Sequence, residues 1–424
     1  MSYDVVVIGG GAAGIVAAGR AAQGGAKVLL LERNRSLGKK LLITGKGRCN
    51  ITNIGEIADF IENYGKNGKF LYRAFSEFFN QDLISFFERY GVETKVERGG
   101  RVFPATDNSQ TVLTALQKYL ADNGAAVRYD SRVAEIVVSE RTGSDKKNTK
   151  LEVKGIKLKG GDIVESGRVV LATGGLSYPL TGSSGDGYEM AHRLGHTIAP
   201  LRPALVPLET KRNFVKELQG LSLKNVEASI LVNKKKVASE FGEMLFTHFG
   251  ISGPIILKLS GLVCEYLESG AEVLISINFK PALDQGTLTG RLLREFKASG
   301  RKALSTVIKN LLPQKLAPIF VELAGIEGNK KCSQVTAAER NRILELLTDF
   351  RLQVKKPRPI DEAIVTRGGI ALDEIDPRTM ESKKVKGLFF CGEIVDIDGA
   401  TGGYNLQAAF STGFLAGENA GGLL

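Results

Sequence analysis

Tyr3-Asp4-Val5-Val6-Val7-Ile8-Gly9-Gly10-Gly11-Ala12-Ala13-Gly14 sets the architecture of the chain. The apolar, β-branched run bounded by glycines reads as a buried strand. Ala12 to Ala22 is rich in alanine and suits a helix, and Lys27 to Glu32 (KVLLLE) is a second buried strand. Strand, glycine turn, helix and strand within about 30 residues make a βαβ unit with a parallel pair. Within the turn, Gly9 permits the tight bend, Gly11 lets the backbone approach a pyrophosphate, and Gly14 lets the helix pack closely on the sheet. The pyrophosphate is expected at the helix N-terminus, on the free N–H groups of Ala12, Ala13 and Gly14. Glu32 ends the second strand where an acid takes the ribose hydroxyls, and Arg33 follows it. A tight turn without a ligand is the plain alternative. The matching strand, helix and acid disfavour it.

The chain has 424 residues, more than one ordinary core accommodates, so two or three domains are expected. With 43% hydrophobic and 24% charged residues the composition is that of a soluble globular protein. No apolar run reaches the roughly 18 residues of a membrane span, and the N-terminus enters a strand with no secretory pattern. The four cysteines, Cys49, Cys264, Cys332 and Cys391, are scattered without a C-x-x-C. That spacing argues against a disulfide scaffold, a zinc ribbon or a dithiol site, and a reducing cytoplasm is the expected location. The net charge of +11 is uneven: 27 basic and 21 acidic residues over 1–194, 25 and 15 over 195–360, 5 and 10 over 361–424. The basic middle suits phosphates, acidic metabolites or nucleic acid, and a solvated lysine face is its plainer reading.

Residues 33–53 are too long and glycine-rich for a mere connection and read as a functional loop. Helical patterns follow over 68–90 and 109–123, then strands over Val127 to Val138, Leu151 to Leu158 and Arg168 to Ala172. The character changes near residue 195. Residues 195–284 and about 351–360 read as β-rich and about 285–350 as helical, which makes 195–360 an inserted domain. Gly387 to Leu424 returns to the opening style, so 1–194 and 361–424 are expected to close one α/β, Rossmann-like dinucleotide domain around the insertion.

Two distant segments bear on which dinucleotide is bound. Val169 to Ala172 runs into Ala172-Thr173-Gly174-Gly175, and Gly387 to Phe390 runs into Cys391-Gly392-Glu393. Both resemble the two-dinucleotide-binding flavoproteins, which implies FAD. In those proteins an acid after the late strand holds the ribityl chain. Here Glu393, Asp396 and Asp398 are the available carboxylates. No second GxGxxG follows a strand, so a dedicated NAD(P)H domain is not expected.

More specifically, Gly38-Lys39-Lys40, Thr44-Gly45-Lys46-Gly47-Arg48-Cys49-Asn50-Ile51-Thr52-Asn53 and Arg101-Val102-Phe103-Pro104 resemble the BaiN/YhiN flavoprotein family. So do Ala172 to Pro179, Gly242 to Pro254 and Thr401 to Gln407, and the matches span nearly the whole chain. The resemblance implies an FAD domain interrupted by an insertion with β-barrel and helical parts. It further implies, for some members, NADH-dependent reduction of a conjugated C=C bond. It also adds Val133 to the expected cofactor positions. Residues 38–53 can wrap an anion in backbone nests, with Lys40 or Arg48 supplying charge and Thr44, Gly45 and Asn50 lining the loop. The P-loop spacing is not satisfied. Gly402 and Gly403 precede an alanine-rich helix whose N-terminus suits the N1–C2=O edge of a reduced flavin, with Tyr404, Asn405 and Leu406 approaching through the backbone.

Candidates for the chemistry are fewer. Cys49 invites a redox role, but without a partner cysteine a small packed residue is the plainer reading. His192 and His196 have the spacing of a zinc pair but no third ligand, so no metal is expected. His248, Tyr404 and Arg101 are candidate general acids or substrate anchors, each with a structural alternative. No GxSxG elbow exists.

The expected function is therefore an FAD-dependent oxidoreductase passing electrons from NAD(P)H through flavin N5 to a small organic acceptor such as an enone. The alternative is an FAD-dependent protein that modifies tRNA or another nucleic acid through the basic insertion. The insertion lacks an aromatic-interleaved basic stripe, which disfavours that partner. A flavoprotein subunit with an electron-transfer or membrane partner is a third reading, without an Fe–S cysteine pattern to support it. The sequence sets no oligomeric state.

Overall fold

Val5, Val6 and Val7 are fully buried in strand β1 (Ser2–Ile8), because both faces of the sheet it enters are covered. A computed structural model describes residues 2–142 and 149–422 of the chain. β1 pairs in parallel with β2 (Val28–Leu31) on one side and with Ile163–Leu171 on the other. The path of the sheet runs Val385–Lys386, Thr149–Leu158, Ile163–Leu171, β1, β2, Ala126–Arg128. Leu388–Phe390 adds a parallel pairing to Ile163–Leu171. The parallel pairing of β1 and β2 requires a crossover, which helix α1 (Ala12–Gln23) supplies.

The contacts divide the chain into two compact units, Met1–Arg202 with Ile360–Leu424, and Pro203–Pro359. In the first, α1 is lined by the terminal helix Tyr404–Gly421 along a ladder of small residues. A Cβ on Gly413 would meet Ala13 O at 2.4 Å, one on Gly417 would meet Ala17 O at 2.3 Å, and one on Gly421 would meet Ala21 Cα at 2.9 Å. The rungs rise together in sequence, so the two helices run parallel. Glycine on one helix and alanine on the other let the backbones touch.

The single strand expected over 127–138 is two. Ala126–Arg128 pairs in parallel with β2, whereas Val133–Thr142 turns away and pairs antiparallel with Thr149–Leu158. The break is at Asp130, which has a φ of 50°. There Asp130 N–H donates to Asn34 O and Ser131 N–H to Glu32 O, which ties this bend to the end of β2.

The second unit is a closed six-stranded barrel with all pairings antiparallel, in the order Leu208–Thr210, Gly250–Ser252, Lys235–Phe246, Ser222–Val232, Val273–Asn278, Phe350–Pro357. Its own core holds Phe246, Phe320 and Phe350. Helices Gln285–Ala298, Leu304–Ile308, Leu316–Leu323 and Ala337–Thr348 lie between the fifth and sixth strands in sequence. The stretch 195–284, read as β-rich, also contains the 15-residue helix Pro254–Glu268. Pro254 opens it at N1 and Ile255, Ile256, Leu259 and Val263 bury one face, a 3.6-residue period set within an otherwise strand-like stretch.

Candidate cofactor and active site

The glycine turn is built as its spacing demands. Gly9 has a φ of 107°, and a Cβ there would lie 2.5 Å from Ala172 O. A Cβ on Gly14 would lie 1.9 Å from Gly9 O. A Cβ on Gly11 would meet no protein atom within 4 Å, so the space in front of the helix is open. Gly11 caps α1 without a side-chain bond, and Ile15 N–H is the first to reach back, to Gly11 O. The N–H groups of Ala12, Ala13 and Gly14 therefore have no partner among the described residues and are open to a ligand. Beside them the buried Glu32 carboxylate accepts from Gly10 N–H (2.8 Å) and, through its other oxygen, from Asn34 N–H (2.8 Å) and Nδ2 (2.7 Å). Arg33 reaches Ser184 and Asp186, and Asp186 is also gripped by Arg132 Nε at 2.6 Å and Nη2 at 2.8 Å. These charge-assisted bonds hold the Asp186 carboxyl below its usual range against the opposing effect of burial.

The terminal helix supplies a second free end. Gly403 caps it with a φ of 101°, close enough to Thr52 that a Cβ would lie 2.3 Å from Thr52 O. The loop before it is clamped: Gly399 N–H donates to Asn405 Oδ1, and Asn405 Nδ2 returns bonds to Gly399 O and Ala400 O. Tyr64 Oη donates to Tyr404 O at 2.6 Å, and Asn53 Nδ2 to Gly402 O at 3.1 Å. Inside the helix Gln407 takes the Thr52 hydroxyl at 2.6 Å. With Gln407 N–H bonded to Gly403 O, the N–H groups of Tyr404, Asn405 and Leu406 point out of the helix end without a partner among the described residues. Because Gly413 is level with Ala13, this helix starts about 12 Å beyond the start of α1. Two positive helix ends face the same way, offset along parallel axes.

Three segments converge on the Glu393 carboxylate. Glu393 Oε1 accepts from Ser177 Oγ (2.9 Å) and Thr366 N–H (2.8 Å), and Oε2 pairs with Lys40 Nζ. Lys40 also donates to Ser177 Oγ at 2.6 Å, and Thr366 Oγ1 accepts from Leu176 and Ser177 N–H. Asp398 is engaged by Arg367 Nε at 3.1 Å to both oxygens. Asp396 is half-buried, and burial raises its carboxyl.

Residues with unmet needs lie in the same region. Asn50 Oδ1 and Thr173 Oγ1 are buried polar atoms with no hydrogen-bond partner among the described residues. Orphaned acceptors and hydroxyls of this kind call for a ligand or water. With six helix amides lacking partners among the described residues, the open space at Gly11 and these two atoms, the residues fit an extended dinucleotide whose central pyrophosphate lies at the α1 end and whose ring lies toward the end of the terminal helix.

The model of the HI0933-like protein Rossmann domain family matches residues 3–419. The chain belongs to this family. Membership makes it a Rossmann FAD-binding flavoprotein and places it among FAD-dependent oxidoreductases. The chain is 32% identical over 417 residues to a 3-dehydro-bile acid delta(4,6)-reductase of Clostridium scindens, covering 98% of each. It is 31% identical over 420 residues to a ribosomal RNA dihydrouridine synthase of Escherichia coli, again covering 98% of each. Its fold resembles that of a 3-ketosteroid delta1-dehydrogenase from Sterolibacterium denitrificans, with a TM-score of 0.53 and 12% identity across the whole of both chains.

In this HI0933-like chain the loop 44–50 takes an unusual backbone course. Gly45, Lys46, Gly47 and Cys49 all have positive φ, and Thr44 Oγ1 closes on Leu41 O at 2.6 Å. Two cations of residues 38–53 are held by acids. Lys40 is paired with Glu393, and Arg48 is held by Glu97 and by Asp107 (2.7 Å) while its guanidinium lies 4.1 Å from the Phe103 ring centre. Gly174 and Gly392 carry positive φ, and a Cβ on Gly392 would lie 2.8 Å from Ala13 Cβ, at the start of α1. Val133 is buried at the start of its strand, beyond the Asp130 bend.

The chemistry candidates separate. Tyr404 stacks edge-on against Phe60 at 4.8 Å, and burial raises its hydroxyl pKa. Cys49 is wholly buried, which pushes its thiol up to about 12. Arg101 is exposed on a small antiparallel sheet and bonded to Arg98 O. His248 is exposed in the second unit, at the turn from Lys235–Phe246 into Gly250–Ser252, with Phe249 4.9 Å away. His196 lies beyond the end of its helix, buried between Ala191 O and Ser382 Oγ (2.7 Å), while His192 is exposed. The described residues hold no group of three or more metal-ligating side chains. Ser177, Thr366, Asn53 and Gln407 are site-shaping residues to which sequence reasoning gave no role. Ser177, Asn53 and Gln407 lie inside the family-like motifs, whereas nothing local marks Thr366.

Proposed function

We propose that this HI0933-like protein is a reductase that saturates a carbon–carbon double bond conjugated to a carbonyl, drawing electrons from NADH or NADPH and acting on a small organic acceptor. One observation carries the reading. Two relatives matched along nearly their full length have names with different substrates but one bond type. A 3-oxo steroid with unsaturation at positions 4 and 6 is a conjugated ketone, and the C5=C6 bond of uracil is conjugated to its C4 carbonyl. In uracil and across the C4=C5 bond of the steroid the β-carbon accepts hydride and the α-carbon a proton; across the steroid's C6=C7 bond the vinylogous δ-carbon C7 accepts hydride and C6 the proton.

When bound, FAD would supply the hydride, from its N5. Gly9, Gly11, Ala12, Ala13 and Gly14 would hold the pyrophosphate at the α1 end, with Glu32 and Arg33 toward the ribose and Val133 toward the adenine side. Ala172, Thr173, Gly174, Gly392, Glu393 and Asp398 would follow the ribityl chain. Thr44, Gly45, Arg48, Cys49 and Asn50 would line the ring side, and Gly403, Tyr404, Asn405 and Leu406 would stabilise negative charge at its N1–C2=O edge. Tyr404 combines a place at this helix end with a hydroxyl that burial keeps protonated, so it is the first proton donor to test.

A second reading keeps the chemistry and changes the substrate to uracil in RNA. Charge favours it: the unit Pro203–Pro359 carries 24 basic against 15 acidic residues, and the remainder of the chain 33 against 31. The test is anaerobic. NADH or NADPH should bleach the flavin band, and a conjugated enone or a uridine-rich RNA should restore it. Restoration by the enone alone supports the first reading, and by RNA alone the second. Absence of bleaching with either nucleotide contradicts the NAD(P)H link.

A further inference from the structure

Lys40 Nζ and the Glu393 carboxylate, 353 positions apart in the chain, form a partly buried pair. Its side chains are 23% and 19% exposed, so much of the hydration of both charges is lost and each depends on the other. A carboxylate offers about four lone-pair sites. Ser177 Oγ and Thr366 N–H use both on Oε1, and Lys40 uses one on Oε2. One acceptor site on Oε2 remains. Glycines pack closely around this point: a Cβ on Gly175 would lie 2.4 Å from Thr366 Oγ1 and 3.0 Å from Glu393 Oε1. Tyr188 Oη donates to the main-chain carbonyl of Glu393 at 3.3 Å. The carboxylate cannot rotate without breaking three bonds made by three different segments.

We propose that Lys40 is a positioning residue of the cofactor site: by gripping Oε2 it fixes Glu393 so that the remaining lone pair is presented to a hydroxyl of the ribityl chain. The inference rests on the FAD reading above. It changes what the basic loop does. Lys40 serves the cofactor through Glu393 and neutralises it, so the site gains an oriented acceptor without a net charge beside the flavin. A shorter aspartate at position 393 would withdraw the carboxylate from Ser177 and Thr366, which accounts for glutamate here. Ser177 holds both partners and supports the same geometry.

The test compares FAD affinity with apoprotein stability, since a lysine that merely braced the fold would move both together. Apoprotein is prepared for the wild type, Lys40→Met, Lys40→Arg and Ser177→Ala, and FAD binding is read by quenching of flavin fluorescence alongside thermal melting without FAD. Lys40→Met is expected to weaken FAD at least tenfold, beyond any loss that tracks its melting temperature. Lys40→Arg should recover most of the affinity, and Ser177→Ala should lose affinity to a smaller degree with little change in melting. Should Lys40→Met melt as an unfolded chain, the Ser177→Ala and Lys40→Arg pair decides alone. Affinity within twofold of wild type in Lys40→Met, or in Ser177→Ala when that pair decides, overturns the inference and leaves the FAD reading intact. A wild-type apoprotein that binds no FAD overturns that reading and the inference with it.

Discussion

Gly413 rests directly on Ala13: a methyl group on its Cα would come 2.4 Å from the Ala13 carbonyl oxygen. This contact, repeated one turn on by Gly417 and Ala17, fixes how far the terminal helix overshoots α1 and hence the spacing between the two free helix ends. Gly413→Ala or Gly417→Ala should force the helices apart. The expected cost is about 1–3 kcal/mol from overpacking, with loss of bound FAD before loss of fold. A urea titration with flavin content measured at each step checks this.

Gly11 and Gly14 look alike in sequence but differ in what surrounds them. Gly11→Ala meets no protein atom and has an ordinary negative φ of −85°, so the apoprotein should keep its stability to within about 0.5 kcal/mol. Its methyl group enters the space left for the pyrophosphate, so FAD affinity should fall at least tenfold. Gly14→Ala collides with Gly9 O and should fail to fold soluble. Melting and FAD titration of both variants separate the two effects.

These glycines show what local sequence could reveal. A turn whose strand, helix and acid fall within one βαβ unit is written in consecutive residues, and so are the strand end at Thr173 and the cap at Gly403. The knot around Glu393 is not, because its partners Lys40, Ser177 and Thr366 come from segments that only the folded sheet brings together. Likewise the break at Asp130 depends on Asn34 and Glu32, nearly a hundred residues away, and an apolar run of mixed period did not announce it. The helix Pro254–Glu268 escaped because its flanks alternate like strands. The positive charge of the 38–53 loop was legible, but not that Glu393, Glu97 and Asp107 would answer it.

His196 gives the first unit a pH dependence of definite sign. Burial lowers its pKa below the usual 6.5, so the unfolded chain takes up a proton more readily than the folded one. Its contribution to stability is present above about pH 6.5 and is lost as pH falls through the folded value. The urea midpoint of the wild type should therefore drop between pH 7.5 and pH 5. His196→Gln should flatten that part of the slope.

All four cysteines are buried and none forms a disulfide among the described residues, and Cys49 is held protonated at neutral pH. A thiol reagent should find almost no reactive cysteine in the native protein and four in denaturant. Cys49→Ser should reduce its flavin with NAD(P)H within about threefold of the wild-type rate. A loss of a hundredfold or more would return Cys49 to the chemistry.

The claim that the site saturates a conjugated C=C bond can be tested without knowing the electron donor. The FAD-loaded protein is reduced with dithionite under argon and mixed in a stopped-flow instrument with a 3-oxo-4,6-diene steroid, a uridine-rich RNA, or the saturated analogue of each. The account predicts that the flavin band returns with at least one unsaturated compound, with one double bond consumed per flavin, and stays bleached with both saturated analogues. Equal reoxidation by saturated and unsaturated compounds, or by dioxygen alone, would contradict it.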